Sequence, residues 1–178
     1  ITGPGTHIGV KDFKNHNATE VETVYIVGKF SVADENRTVF SIDGRIFEPD
    51  HKDITSSGYP FYAGSIRLTA SINLENTGKK VYLRLNNINA ASASVNVNGR
   101  NVGLKYWEPF IYDITDAVVK GSNEIEVTLD TTLFNLMGPN RIKDIVEKEY
   151  VSPRTFVAFD QYEEKYELLP FGMKNASI

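Results

Sequence analysis

The chain contains no cysteine. A disulfide framework, a thiolate nucleophile and cysteine-ligated zinc are therefore all excluded. Export is not, since a fold that needs no oxidation can still be secreted. Histidine is scarce, three in 178 residues. His7 and His16 have no third ligand nearby in sequence, so they read as surface residues rather than as a zinc site, which takes four ligands. No apolar run approaches the roughly 20 residues of a membrane-spanning helix, so no membrane insertion is expected. Basic charge is also short, with 19 Lys and Arg against 23 Asp and Glu, a formal net charge of -4. With no positive field to meet phosphates, a nucleic-acid partner is excluded.

Catalytic signatures are missing as well. The sequence has no G-x-S-x-G elbow, no P-loop and no G-x-G-x-x-G after a strand. Glycoside hydrolysis needs two carboxylates about 5 to 9.5 Å apart. With 23 acids in the chain, a chance pair at that distance proves nothing, and no catalytic residue is assigned. The chain begins at Ile1 with neither Met nor a signal-like segment, and is expected to be a processed chain or an excised piece of a longer one.

What is present is short alternating segments separated by turns. The length suits one domain with a real core. Hydrophobic content of 41% and charged content of 24% are ordinary for a globular protein. The stretch from Val95 to Leu129 is the most informative. Val95-Asn96-Val97 alternates into Asn98-Gly99, a dipeptide suited to the φ > 0 turn of a tight hairpin, and Val102 and Leu104 resume beyond it. Phe110 to Ile114 reads as a second strand with Pro109 at its edge. Thr115 is placed to cap one helical turn through Val119, which Gly121 ends. In Glu124 to Leu129, Ile125, Val127 and Leu129 share one face, a half-buried antiparallel strand.

The remaining chain follows the same grammar. Residues 1 to 20 are a polar lead-in or linker, and residues 21 to 178 form the domain. Glu20 to Phe30 is expected as the first strand, then a turn at Asp34 to Arg37 and a hairpin region around Asp43-Gly44. Glu48, Asp50 and Asp53 gather with His51 in a loop; a structural Ca²⁺ there would need six to eight oxygens, no EF-hand spacing supports it, and no cofactor is expected. Ser56 to Ser65 encloses Tyr59, Phe61 and Tyr62 between glycines. That loop is either an aromatic platform for a sugar or a plug for the sandwich edge. Strands follow at Ile66 to Ile72 and Val81 to Leu85, joined by a turn at Asn76 to Lys79, and Asn86 to Ser94 reads as a polar connection. Asn140 to Tyr150 carries the only helical periodicity. Phe156 to Phe159 and Tyr166 to Met173 read as closing strands. The expected fold is an all-β antiparallel sandwich of about eight or more strands with one short helix.

The segments VNVNG, EPFIYDIT and KGSNEIEVTL, in that order, resemble the galactose-binding-like jelly roll of family 2 glycoside hydrolases and their relatives. VYIVGKF, GYPFYAGS, LFNLMGP, VSPRTF and YELLPFGM look like segments near the end of family 106 α-L-rhamnosidases, a likeness running from about Val21 to Met173. In those proteins histidines often follow the leucine–glycine–proline segment, where Asn140-Arg141 stands here. The resemblance implies a non-catalytic accessory domain of an extracytoplasmic enzyme, whether periplasmic, cell-surface or secreted, whose catalytic carboxylates lie in a separate barrel. It implies as partners the other domains of such an enzyme and glycans of plant or bacterial type. An autonomous carbohydrate-binding module and a purely structural interaction domain are the alternatives. If sugar is bound, the candidates are Trp107, Tyr106 and Glu108 in a rim loop, with Tyr59 and Tyr62 in a second loop at the same edge. A lone Trp beside Pro109 is as readily a core plug, and burial is the expectation for it.

Overall fold

Asn98 and Gly99 both adopt positive φ, 51° and 77°, and between them they turn β5 (Ser92–Val97) into β6 (Arg100–Lys105). The computed structural model describes residues 25–75, 79–145 and 162–178. Within them the protein is all-β, with antiparallel sheets and one short helix. The other strands are β1 (Ser31–Glu35), β2 (Val39–Asp43), β3 (Ser65–Leu74), β4 (Tyr82–Asn89), β7 (Ile111–Asp113), β8 (Gly121–Asp130) and β9 (Gly172–Ser177). They form a four-stranded sheet β3-β8-β5-β6, a three-stranded sheet β7-β4-β9, and the separate hairpin β1-β2.

Alternation decides the faces. Ala93, Val95 and Val97 of β5 are fully buried, and Ile125, Val127 and Leu129 of β8 point the same way. Leu83 and Leu85 of β4, Tyr112 of β7 and Met173 of β9 belong to the same buried cluster. One core thus lies between the two larger sheets, which makes the body a sandwich. The Tyr112 hydroxyl crosses the core to donate to the Ala93 carbonyl at 2.7 Å.

The joint between β5 and β8 is held by two asparagines. Asn123 is completely buried. Its Oδ1 accepts from the Val119 N–H at 2.7 Å and from Asn98 Nδ2 at 2.9 Å, while its Nδ2 donates to the carbonyls of Val119 and Gly121. Asn98 also donates to the Ala117 carbonyl and accepts from the Glu124 N–H. These bonds tie the hairpin tip to the turn that precedes β8, so every polar atom of the buried amide is matched. That turn forms as expected, with the N–H groups of Ala117 and Val118 bonded to the Ile114 carbonyl. Its cap differs: Asp113 accepts from the Thr115 N–H, and the Thr115 hydroxyl accepts instead from the Val81 N–H.

Several boundaries move. Residues 25 to 30 form no strand, and Ile26 and Val27 are exposed; β propensity without a partnering ladder builds nothing. The expected connection from Asn86 to Ser94 is shorter, because β4 runs to Asn89 and β5 begins at Ser92. The short helix is α1 (Phe134–Met137), upstream of the periodic stretch. Asn135 anchors it, exchanging two 2.8 Å bonds with the backbone of Leu169. Ile142 and Ile145 are buried as their pattern suggests, but Ile142 bridges to Tyr162 and Asp144 turns the chain at φ 55°. The last strand begins only at Gly172, while residues 166 to 171 are irregular. The lead-in 1–20, most of the Asn76 to Lys79 turn, the rest of the helical stripe and the Phe156 to Phe159 segment lie outside the described residues.

Candidate functional site

β6 ends at Lys105, paired with Ala93, and the chain bends through Tyr106, Trp107 and Glu108 before β7. Trp107 is 76% exposed and Tyr106 is 60% exposed, which corrects the expectation of burial. The reason lies three residues beyond Trp107. Phe110 is buried, and its carbonyl accepts from the Leu85 N–H at 3.0 Å, so Phe110 fills the end of the core that Trp107 was expected to close. The Tyr106 and Trp107 rings lie 6.1 Å apart with planes tilted 37°. Glu108 beside them is exposed. Leu104, which register places opposite Ser94, extends the exposed apolar surface onto the outer face of the sheet.

The second aromatic loop is differently employed. Tyr59 donates its hydroxyl to the Phe47 carbonyl at 2.6 Å, and Tyr62 donates to the Ser65 carbonyl at 2.7 Å. Both are partly buried against the core, and Tyr62 stacks on Phe171 with planes 12° apart. Phe61 meets Phe40 edge-on at 4.7 Å. These rings pack on neighbours within the domain, and both hydroxyls are taken up by backbone carbonyls. The two loops leave the same end of the four-stranded sheet but from its opposite edges, β3 and β6. Three strand spacings, about 14 Å, separate them.

Between the loops, the outer face carries residues that the motifs did not single out. Ser65, Asp130 and Ser92 stand in register across β3, β8 and β5. Both serine hydroxyls donate to the Asp130 carboxylate, and these hydrogen bonds hold its pKa below the usual carboxylate value. Further along the face, Glu126 accepts from Asn96 at 3.0 Å and pairs with Arg67 at 3.3 Å. The signal for this face was available in β8, where Glu124, Glu126, Thr128 and Asp130 alternate with the buried aliphatics.

The carboxylates of the 48–53 loop are engaged locally. Asp53 accepts from the N–H groups of Thr55 and Phe171 and caps the short turn Ile54–Ser57. Asp50 accepts from the Lys52 N–H and lies 3.7 Å from His51. Among the described residues no group of three or more His, Asp or Glu is placed to hold a metal. An open cleft of about 510 Å³ lies at the seam between the β1-β2 hairpin and the sandwich, lined by Val32, Asp34, Arg37, Phe47 and Glu48 among others. Among the described residues no helix is long and apolar enough to cross a membrane.

The sandwich is similar in fold to a small part of a much larger enzyme. No protein-family model matches the sequence, and no curated protein matches it. Among solved structures, a rhamnosidase from Novosphingobium sp. PP1Y is similar over 89% of this chain and 16% of its own length, with 23% identity and a TM-score of 0.51. Looser likenesses reach a β-glucuronidase from Bifidobacterium dentium, with 16% identity over 65% of this chain and 19% of that one at a TM-score of 0.40. The β-D-glucuronidase of Dictyoglomus thermophilum gives 24% identity over 71% of this chain and 22% of that one, at 0.41. The chain spans between 16% and 22% of the length of these enzymes.

Proposed function

We propose that this chain is a non-catalytic, galactose-binding-like accessory domain of a larger extracytoplasmic glycoside hydrolase of the family 106 α-L-rhamnosidase type. It supports or flanks the catalytic domain and presents the Tyr106–Trp107–Glu108 bend to carbohydrate. The observation that carries this reading is the pairing of extents, nearly all of this chain against 16% of a rhamnosidase. The ordered motifs from Val95 to Leu129 support it independently. Exposed Trp107 favours a sugar-contacting role over a purely structural one, because an indole this open offers a flat apolar face that a pyranose can cover. The same feature is what an autonomous binding module would use.

The reading is tested by assaying the purified chain on aryl rhamnosides and related glycosides, where no release is expected. Turnover that copurifies with the chain and disappears on replacing one of its own carboxylates would make it an enzyme.

A further inference from the structure

Asp130 is the most unusual group on the outer face of the four-stranded sheet. It is partly exposed, it receives a hydroxyl on each carboxylate oxygen, and it takes part in none of the ion pairs among the described residues. Each oxygen keeps a further acceptor site. Ser92 is buried and Ser65 is exposed, so Ser92 orients the carboxylate while Asp130 and Ser65 face solvent together. Cross-strand register puts Ser92 next to the position that follows Lys105, and so brings the Tyr106–Trp107 bend to the same end of the sheet.

We infer that this strip, from the Tyr106–Trp107 bend across to Asp130 and Ser65, binds a neutral oligosaccharide of two or more rings laid across the strand ends. The inference rests on the carbohydrate-contacting role proposed above and extends it to residues outside the loop. From β6 to β8 is two strand spacings, about 10 Å. One sugar ring stacked on the aromatics does not reach Asp130; a second ring linked to it does, and its hydroxyls are donors where Asp130 and Ser65 offer acceptors.

Charge selects the class of sugar. Asp130 is ionised and Glu108 lies at the other end of the strip, while Arg67 on the same face is matched by Glu126. Lys105 is on the opposite side of β6, its ammonium 5.8 Å from the Tyr112 ring. Among the described residues an anionic uronate would meet two carboxylates and no free cation on this face, so neutral glycans are preferred.

Size argues against a protein in this place. Leu104, Tyr106 and Trp107 expose 48%, 60% and 76% of their surfaces. Together that is on the order of 300 to 400 Å², taking 150 to 250 Å² for a whole aromatic side chain. A stable protein interface takes about 800 Å² from each partner. The surrounding rows of Ser94, Thr128 and Asn96 are polar, as a hydroxylated ligand requires.

The test uses the full 178-residue chain on an array of neutral and uronate-containing oligosaccharides, followed by titration with the best neutral disaccharide retained. Neutral glycans are expected to bind and their uronate counterparts to fail. Trp107→Ala should abolish binding, Asp130→Asn should weaken it roughly tenfold by loss of a charge-assisted hydrogen bond, and Ser65→Ala should weaken it less. Glu124→Gln, on the same face at the far end of β8, should leave binding unchanged. Thermal unfolding of each variant separates loss of binding from loss of fold, and Ser65→Ala carries the test if Asp130→Asn unfolds. If Trp107→Ala abolishes binding while Asp130→Asn and Ser65→Ala bind as wild type, the strip is wrong and the aromatic contact stands. Preference for uronates overturns the charge argument. No retained glycan, or undiminished binding by Trp107→Ala, overturns both the strip and the sugar-contacting role, leaving the accessory-domain reading to its own assay.

Discussion

The two ends of the four-stranded sheet are built on opposite principles. At one end, Asn98 and Asn123 spend their amides on backbone groups and on each other, and Asn123 is sealed from solvent. At the other, about 20 Å of strand away, Tyr106 and Trp107 turn their rings outward. Both ends come from the same recognisable stretch of sequence. The valine–asparagine–glycine and glycine–x–asparagine elements are the fastener of the fold, and the bend between them is left exposed. A motif can therefore point to an architecture without saying anything about binding, because its asparagines are consumed by the fold itself.

The largest break in this contrast is Asn123→Ala. It takes the partner from the Val119 N–H, from Asn98 Nδ2 and from two carbonyls around a part-buried joint, and empties the buried place of its own amide, at a cost of about 3 kcal/mol. For a domain of this size that lowers the melting temperature by roughly 10 °C. A loss below about 1 kcal/mol in denaturant titration would mean that the asparagine pair is not what holds this end.

Tyr112 provides the corresponding buried contact nearer the aromatic end. Tyr112→Phe leaves the Ala93 carbonyl without its donor and should cost about 1 kcal/mol at neutral pH. Burial pushes the Tyr112 phenol up to about 12, against about 10 in the unfolded chain. The folded protein thus keeps a proton that the unfolded chain releases first. This contribution is complete below pH 10 and is lost as pH rises through 12. Urea midpoints measured at pH 8 and pH 11 should diverge more for wild type than for Tyr112→Phe. Equal divergence would show that another group titrates there.

Strands whose alternation was regular were legible in the sequence, and so was the hairpin at Asn98-Gly99. β8 has its inward triplet where period two puts it, because both flanking strands in the sheet demand the same face. Elements that depend on a distant partner were misplaced. The Glu20 to Phe30 segment has strong β propensity, yet its described half finds no ladder. The helix formed where Asn135 could clasp Leu169, 34 residues away, an event no local window contains. The candidate site was legible only in its exposed bend. Tyr106, Trp107 and Glu108 announced themselves by type and by position beside Pro109. Asp130 and Ser65 did not, since their proximity is a product of register between β3 and β8. Tyr59 and Tyr62 have the composition of a platform, but their hydroxyls find carbonyls twelve and three residues away, respectively.

Trp107 gives the smallest effect on stability and the sharpest reading of the contrast. With 76% of its surface already in water, its removal forfeits little burial, and Trp107→Ala should change stability by no more than about 0.5 kcal/mol. Its fluorescence should be long-wavelength and readily quenched by iodide, because water relaxes around an exposed indole and the ion reaches it. As the only tryptophan in the chain, it reports without interference. Adding a bound neutral glycan should shift the emission to the blue and protect it from iodide, as the ring loses its solvent face. If the free protein already emits at short wavelength and resists iodide, then Trp107 lies inside, Phe110 is not the residue that closes the core, and both ends of the sheet are sealed.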